Sequence, residues 1–251
     1  MQRSLIIDRG NTNLKVAIFE NQELVGVRHL SASTYIGLKN TFSSEELLCH
    51  SCIFSSVAQV EDPILEDLKG HFCQNLYVLN DQMPIPIEID YDRTTLGADR
   101  LAAVVGAGSL FPQEEILVID AGTAVTYERI SSQGKYLGGN ISPGLEVRFS
   151  SLHHYTARLP LVHIHESDNI PQWGTNTSGA IMAGVVRGLI LEMEGYIEAA
   201  RQEHPEIRVL LTGGAASYFE TKLKYQTFVA DDLVLRGLSC ILDYQIRECT
   251  E

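Results

Sequence analysis

The sequence has no excess of basic residues, and this excludes one broad class of function. Its 251 residues include 19 Lys and Arg against 32 Asp and Glu, which gives a formal net charge of −13 at pH 7. Proteins that hold nucleic-acid backbones depend on clustered Lys and Arg, and the sequence contains no such cluster. We therefore expect no nucleic-acid partner, and we attribute the acidic excess to solubility.

Long hydrophobic runs are also lacking. Met1–Ile7 is followed at once by Asp8 and Arg9, so the apolar core of a signal peptide is missing. The longest apolar stretch, Ser178–Ala200, is interrupted by an arginine and three glutamates, which a bilayer-spanning helix does not comfortably carry. The sequence therefore predicts a cytoplasmic protein without a membrane-spanning segment.

Recognisable metal or disulfide patterns are scarce. Cys49 and Cys52 resemble half of a zinc or redox motif, but a zinc site would need a second pair at similar spacing. The pairs His153–His154 and His163/His165 have no third ligand nearby, so surface or core histidines are the simpler interpretation. An odd, scattered set of cysteines indicates reduced thiols rather than a disulfide framework: Cys49, Cys52, Cys73, Cys240 and Cys249.

Strand and helix patterns alternate along the chain, and one strand pattern occurs twice. The alternation of apolar runs with segments of helical period predicts an α/β fold. Leu5–Ile7 is followed by Asp8–Gly10, and Leu117–Ile119 is followed by Asp120–Gly122. Each copy predicts a β-hairpin, because glycine supplies the unusual backbone angles of a tight turn.

Two ordinary hairpins would explain the repeat in part, but not its carboxylates. Each copy places an aspartate directly after a buried strand, where desolvation is expensive. Duplicated lobes that each offer a glycine turn to a shared cleft suit a triphosphate, because amides face phosphate oxygens and a carboxylate holds the metal. We therefore predict an N-terminal lobe over residues 1–108 and a C-terminal lobe over residues 109–251.

Several motifs occur in the order that one enzyme family shows. Each motif is weak alone, but the ordered set covers nearly the whole chain. Together they resemble the type III pantothenate kinases, which belong to the superfamily of acetate and sugar kinases, Hsp70 and actin, built from two duplicated ribonuclease-H-like lobes. The motifs are Asp8-x-Gly10-Asn11-Thr12-x-x-Lys15, Gly97–Arg100, Asp120–Ala124, Gly138–Gly144, Asn176–Thr177, Thr212–Gly214 and Asp232–Leu238.

The resemblance implies an activity and its cofactors. The family transfers the γ-phosphate of ATP to the primary hydroxyl of pantothenate, giving 4′-phosphopantothenate in coenzyme A biosynthesis. It also implies Mg²⁺, a monovalent cation such as K⁺ or NH₄⁺, and a homodimer formed by the C-terminal lobe. The residues that it assigns to ATP are Asp8, Arg9, Gly10, Asn11, Thr12, Asn13, Leu14, Lys15 and Thr123.

Metal binding and the acceptor site follow from the same resemblance. Asp8 is expected to hold Mg²⁺ through water, and Asp120 the monovalent cation. Lys15 on the outgoing strand could reach a phosphate or could equally be a solvated lysine. The residues expected at the pantothenate site are Tyr91, Gly97, Ala98, Asp99, Arg100 and Thr177.

Asp99 precedes a strongly helical run, Leu101–Ala107, and two interpretations stay open on local sequence. It could cap the helix, as aspartates often do. The resemblance instead makes it the base that deprotonates the acceptor hydroxyl, while Arg100 grips the carboxylate of the substrate. The family usually has a proline after the tyrosine corresponding to Tyr91, and here the proline is missing and the segment is about one residue short.

The C-terminal half adds weaker signals. Gly138–Gly144 is predicted to be a loop that forms a wall of the substrate site, and Asn176 or Thr177 could cap the long helix that starts near Ser178. Thr126 is either a ligand contact or a packing residue. Four glycines weaken the long helix, which we interpret as close packing against another helix or subunit: Gly179, Gly184, Gly188 and Gly195.

Three other functions fit parts of the pattern. A kinase of another small alcohol would have the same fold, although a neutral sugar offers Arg100 no carboxylate to bind. A phosphohydrolase would release ADP without an acceptor. A regulatory protein that senses nucleotide would keep the phosphate hairpins without needing Asp99 as a base.

Overall fold

A computed structural model describes residues 3–10, 13–31, 49–56, 64–65, 68–69, 72–165 and 168–248. The strands are β1 (Arg3–Arg9), β2 (Asn13–Glu20), β3 (Glu23–Ser31), β4 (Cys49–Ser56), β5 (Cys73–Val78), β6 (Glu88–Ile89), β7 (Ile116–Ala121), β8 (Ala124–Ile130), β9 (Lys135–Pro143), β10 (Arg208–Thr212) and β11 (Phe228–Val229). The helices are α1 (Ala98–Leu110), α2 (Leu145–His154), α3 (Thr177–Glu203), α4 (Ala216–Glu220) and α5 (Leu233–Glu248).

The two main sheets repeat one strand order. In the first, the order is β3-β2-β1-β4-β5, with β1–β3 antiparallel and with β4 and β5 continuing parallel to β1. In the second, the order is β6-β9-β8-β7-β10-β11; its last five strands match the first sheet, with β8 antiparallel to β7 and with β10 and β11 parallel to it. This duplicated ribonuclease-H-like topology confirms the predicted α/β fold.

By contacts, the chain divides into two compact units. The C-terminal helix α5 belongs to the first unit together with β1–β6 and α1. The first unit comprises Met1–Pro112, Gly134–Tyr136 and Asp232–Glu251, and the second comprises Gln113–Gln133 and Leu137–Asp231. The predicted lobes, residues 1–108 and 109–251, were based on the repeated strand pattern, whereas these units are defined by contacts. The predicted boundary therefore stays a prediction.

Helices α1 and α5 cross in the first unit with their backbones in contact. A Cβ atom on Gly237 would collide with the carbonyl oxygen of Ala102, and one on Gly106 would collide with that of Leu233. Only glycine allows such an approach at both positions, because any side chain would force the two helices apart. The crossing therefore fixes α1, and with it the helix start that carries Asp99.

The two cores follow from the strand patterns. On β1 and β4, alternating residues such as Leu5, Ile7, Cys52 and Phe54 point into one hydrophobic cluster. In the second unit, β7, β8 and β10 bury their inward residues against α3. Across the described ranges, no helix combines the length and the hydropathy that a membrane span requires.

The predicted loop over Gly138–Gly144 is wrong, because β9 extends through Pro143 and Gly144 is the N-cap residue of α2. Glycine serves close packing here rather than a turn. A Cβ atom on Gly139 would collide with the backbone oxygen of Tyr127 and with the side chain of Glu128 on β8.

Candidate active site

Asp8 sits near the end of β1 between two residues that the sheet register places opposite it. These are Lys15 on β2 and Ser55 on β4. Asp8 is 8% exposed and Ser55 is fully buried. Neither Asp8 Oδ1 nor the Ser55 hydroxyl oxygen has a hydrogen-bond partner among the described residues. Two adjacent buried polar atoms without partners are costly, which indicates a site built for a ligand.

The charge environment of Asp8 supports the same conclusion. Burial raises the pKa of Asp8 to about 6; Lys15 opposes this rise, the nearby Asp99 adds to it, and Ser55 lowers the pKa. A bound cation would relieve the cost of keeping this carboxylate ionised. Asp8 therefore fits the predicted role as an anchor for Mg²⁺ and its water shell.

The rest of the first hairpin is described in part. Asn11 and Thr12 lie outside the described residues, so the predicted phosphate turn has a structure only on either side of them. Leu14 is fully buried in the hydrophobic core, which leaves its backbone rather than its side chain for a ligand. Lys15 lies on β2 opposite Asp8, as its place on the outgoing strand predicted.

Asp99 lies in the first turn of α1, but it is not the N-cap residue. The N-cap is Gly97, and no side chain caps this helix end. Asp99 Oδ1 accepts a hydrogen bond from the backbone N–H of Arg100 at 2.8 Å. A Cβ atom on Gly97 would crowd that same oxygen, so glycine leaves room for the carboxylate. Asp99 is only partly buried, and its charge is felt at Asp8.

The guanidinium of Arg100 contacts two tyrosines. It is 6% exposed, and its Nη2 donates to the hydroxyl of Tyr136 at 2.9 Å. Its Nη1 lies 3.4 Å from the hydroxyl oxygen of Tyr91, and its Cζ lies 5.2 Å from the centre of that ring. Such packing orients a guanidinium, which can then bind a carboxylate in a defined direction.

Tyr91 thus lies beside Arg100 despite the missing proline. The turn that follows it is closed by Asp92, whose Oδ1 accepts from the backbone N–H of Thr94 at 3.0 Å and from its hydroxyl at 2.7 Å. This turn orders the segment by side-chain hydrogen bonds instead of a fixed proline ring. A cavity of about 350 Å³ adjoins Gly97 and Ala98 in the same unit.

In the second unit, Asp120 occupies on β7 the position that Asp8 occupies on β1. The residues opposite it are Thr126 on β8 and Thr212 on β10. Gly213 follows with a φ of +91°, and a Cβ atom there would collide with Asp120 Oδ1. Thr212 donates its hydroxyl proton to the carbonyl of Ala230 at 2.7 Å. One oxygen of this half-buried carboxylate therefore lies close to the Gly213 backbone, and an oxygen ligand of this kind suits a cation.

The second glycine turn is exposed, and two backbone hydrogen bonds hold it. The N–H of Gly144 donates to the carbonyl of Thr123 at 2.9 Å, and the N–H of Gly122 donates to the carbonyl of Ala124 at 3.0 Å. A Cβ atom on Gly144 would collide with the backbone of this turn. Thr123 itself is exposed, so its hydroxyl can contact a ligand.

The start of α3 shows which of Asn176 and Thr177 caps the helix. Asn176 is the N-cap residue, and its Oδ1 accepts from the backbone N–H of Gly179 at 2.9 Å. Thr177 is the first helical residue and is exposed. Thr177 therefore has no capping role, and its side chain is open to solvent.

The first unit brings together most of the predicted site, including Asp8, Lys15 and Asp99. Sequence reasoning missed two residues there, Ser55 and Tyr136. Ser55 carried a signal only in hindsight, because β4 ends in two serines and its counterpart β10 ends in Thr212, and no local pattern links Ser55 to Asp8. Tyr136 carried none, since a buried tyrosine on a strand is normally a packing residue.

The repeated strand order and the matching aspartates at two glycine turns define the class: two-unit α/β proteins of the actin-like fold, which include ATP-dependent small-molecule kinases. A solved structure described as a Baf family transcriptional activator from Campylobacter jejuni shares this fold, with a TM-score of 0.63, 22% identity and coverage of 97% of this chain and 99% of its own. MreB5 of Spiroplasma citri bound to ADP has a TM-score of 0.51 at 11% identity, over 100% and 99% of the two chains.

Sequence comparison gives the family within this class. The family model described as type III pantothenate kinase matches residues 4–199. A type III pantothenate kinase of Porphyromonas gingivalis is 41% identical over 247 residues, covering 98% of this chain and 100% of the relative. The chain therefore belongs to the type III pantothenate kinase family.

Proposed function

We propose that this protein transfers the γ-phosphate of ATP to the primary hydroxyl of pantothenate, giving 4′-phosphopantothenate for coenzyme A biosynthesis in the cytoplasm. Membership of the family supports the activity. One structural observation carries the assignment of the site: the first turn of α1 presents Asp99 near Asp8 and, at the next position, the buried and oriented Arg100.

Asp8 and the hairpin act on the nucleotide. Phosphoryl transfer requires positioning and neutralisation of charge more than covalent chemistry by the protein. Asp8 holds Mg²⁺ through water, because its buried carboxylate has an oxygen without a hydrogen-bond partner in the described part of the chain. Backbone amides from Arg9 to Leu14 bind phosphate oxygens, and Lys15 adds a positive charge beside Asp8.

Asp99 and Arg100 act on the acceptor. Asp99 accepts the proton of the pantothenate hydroxyl and orients that oxygen toward the phosphorus atom. Arg100 binds the pantothenate carboxylate, guided by Tyr91 and Tyr136. The backbone of Gly97 and Ala98 forms the adjacent wall, and Thr177 supplies a further contact from its exposed position on α3.

Asp120 and Thr123 complete the proposed set. Asp120 holds a monovalent cation, K⁺ or NH₄⁺, because a half-buried carboxylate beside the close backbone of Gly213 offers the oxygen ligands that such ions prefer. When bound, the cation supplies positive charge that stabilises phosphate oxygens. Thr123 contacts ATP through its exposed hydroxyl.

The protein is proposed to act as a homodimer through one face of α3. Gly184, Gly188 and Gly195 have no atom of the described chain within 4 Å of a built Cβ, and Leu191 on the same face is 67% exposed. Their spacing places them along one stripe of the helix. An apolar stripe without side-chain bulk lets another helix approach closely, and a second copy of this chain is the proposed occupant.

A direct assay tests the activity. Pure protein is incubated with ATP, Mg²⁺, K⁺ and pantothenate, and 4′-phosphopantothenate is measured by mass spectrometry. We expect product with the native chain and at least a thousandfold loss with Asp99→Asn, because the acceptor loses its base, roughly the size of general-base contributions. ATP binding by Asp99→Asn, measured by calorimetry, should stay close to that of the native protein.

The same assay separates the alternatives. A folded protein that ignores pantothenate but phosphorylates another alcohol would overturn the substrate. Release of ADP without any acceptor would indicate a phosphohydrolase. Nucleotide binding with no turnover of either kind would favour a regulatory role.

A further inference from the structure

Three cysteines lie together in the first unit, and none of them has a part in the proposed reaction. Cys49 and Cys52 are on β4, and Cys73 begins β5. The parallel register places Cys49 directly opposite Cys73. All three pack in the hydrophobic cluster around Leu5 and Phe54. The half-motif formed by Cys49 and Cys52 therefore has its third thiol on a neighbouring strand.

The three thiols differ in accessibility. Cys49 is 9% exposed and Cys52 is fully buried, whereas Cys73 is partly exposed at the start of its strand. Cys73 is therefore the sulfur that a small oxidant in solution reaches first. All three are free thiols in the structure.

The pKa values of the three thiols also differ, and the most accessible thiol has the lowest pKa. Hydrogen bonds from Cys49 and Cys52 lower the pKa of Cys73 to about 4. The pKa of Cys49 is raised by its hydrogen bond to Cys73 and by burial, and the pKa of Cys52 is raised chiefly by burial. The reachable sulfur is thus the one of the three that most readily becomes a thiolate, which is the reactive form.

We propose that Cys73 and Cys49 form a reversible intramolecular disulfide when the protein meets a hydroperoxide. Residues paired directly on adjacent strands have Cα atoms about 5 Å apart, and disulfides span Cα separations of about 4.4–6.8 Å. The bond therefore needs little movement of β4 and β5. Cys52 is a poorer partner because the register places it opposite Leu76.

The chemistry balances with hydrogen peroxide as the oxidant. The Cys73 thiolate attacks one peroxide oxygen, the O–O bond breaks, and the departing hydroxide takes a proton to become water. The resulting sulfenic acid is attacked by the Cys49 sulfur, which loses its proton as the S–S bond forms and a second water leaves. Two thiols and one peroxide thus give one disulfide and two waters.

A metal-binding role for the same cysteines is not favoured. Within the described ranges, no group of three or more cysteine, histidine or carboxylate side chains has the arrangement of a metal site. Redox chemistry needs only two sulfurs within reach, and the register supplies them. The inference is independent of the kinase assignment, because it uses none of the proposed active-site residues.

Peptide mapping tests the proposal on the full-length protein. The protein is treated with a small excess of hydrogen peroxide at pH 7, alkylated under denaturing conditions and digested without reductant. We expect a peptide pair joined through Cys49 and Cys73, loss of two of the five thiols, and recovery of both thiols with dithiothreitol. A link between Cys52 and Cys73, a link between two chains, or overoxidation of Cys73 without any disulfide would overturn the proposal.

Two variants sharpen the result. Cys73→Ser should abolish the peroxide-dependent loss of two thiols, and Cys49→Ala should leave a sulfenic acid at Cys73 that dimedone traps. Cys240→Ser is the matched control, because Cys240 is a partly buried thiol on α5 whose sulfur donates to the Ser109 hydroxyl and lies on neither β4 nor β5. The control should form the disulfide as the native chain does. The map of the native chain decides the proposal even if a variant fails to fold.

Discussion

At neutral pH the buried, ionised carboxylate of Asp8 lowers the stability of the folded protein. Burial is the main cause of the rise in its pKa from 3.8 to about 6. The folded state therefore binds the proton more tightly than the unfolded state does. Protonated Asp8 therefore contributes to the free energy of unfolding. This contribution is fully present below about pH 4 and is lost as the pH rises through about 6.

Replacing this carboxylate should stabilise the ligand-free protein at neutral pH. We expect Asp8→Asn to raise the free energy of unfolding at pH 7.5 by up to about 3 kcal/mol, since each pKa unit corresponds to about 1.4 kcal/mol. The difference should disappear near pH 4. Urea unfolding at both pH values measures it, with the exposed Asp81→Asn as control. Equal stability of Asp8→Asn and the native chain at pH 7.5 would contradict the buried charge.

Ser55 is the residue most closely associated with Asp8 that the sequence did not reveal. We expect Ser55→Ala to raise the Mg²⁺ concentration for half-maximal activity about fivefold, as loss of one hydrogen bond of about 1 kcal/mol from the Ser55 hydroxyl to the water shell of Mg²⁺ would do. The fold should not suffer, because the hydroxyl oxygen has no partner within the described residues. Titration of activity with Mg²⁺ at saturating ATP measures the effect.

The matched control for Ser55 is on the same strand. Ser51 is also buried in β4, and it lies opposite Ser4 rather than beside an aspartate. Ser51→Ala should leave the Mg²⁺ requirement unchanged. If both variants behave alike, the Ser55 hydroxyl has no part in positioning Asp8.

At the scale of elements, the hairpins could be predicted from residues adjacent in sequence, whereas the residues that strand pairing brings to the site could not. The antiparallel pairs β1–β2 and β7–β8 were predictable, because a strand, an aspartate and a glycine are adjacent in sequence. Ser55 and Tyr136 were not predictable, since strand pairing brings them to the site from distant segments. The strand through Gly138–Pro143 was mistaken for a loop, because its glycine content is typical of turns, while pairing in the sheet determines its conformation.

Two glycines of α1 offer a direct test of the crossing with α5. A Cβ atom on Gly106 would collide with the backbone of Leu233, whereas one on Gly108 meets nothing within 4 Å. We expect Gly106→Ala to destabilise the protein by about 1–3 kcal/mol through overpacking. Gly108→Ala should stabilise it by up to about 1 kcal/mol through helix propensity.

Chemical unfolding of both variants gives the two values. Because α1 also carries Asp99, kcat should fall in Gly106→Ala and stay near the native value in Gly108→Ala. Equal effects of the two substitutions on stability would show that the helices can separate without cost.

At the scale of the whole molecule, duplication places equivalent positions in two different chemical settings. Asp8 has a lysine on one side and a serine on the other, while Asp120 has two threonines. The lysine beside Asp8 suits a site that receives phosphate together with a divalent ion. The neutral hydroxyls beside Asp120 suit a weakly charged ion. One topology thus supports the two cation roles proposed here.

The proposed dimer depends on the stripe of α3 around Leu191. Leu191 is 67% exposed, and a second copy would bury it against the open positions of Gly184 and Gly188. A charge placed there would have to lose its water, so we expect Leu191→Glu to abolish association. Sedimentation velocity at micromolar concentration should give a dimer for the native chain and a species near 27.8 kDa for the variant.

Val25→Glu controls for the addition of a charge to an exposed apolar position. Val25 is 53% exposed on β3 of the first unit, whereas α3 belongs to the second. This variant should sediment as the native chain does, and both variants should keep the native far-UV circular dichroism because neither side chain is in a core. Native chain that sediments as a monomer at this concentration would exclude the dimer. The glycines of α3 would then need another explanation, since each lowers helix stability by nearly 1 kcal/mol relative to alanine and would receive no packing contact in return.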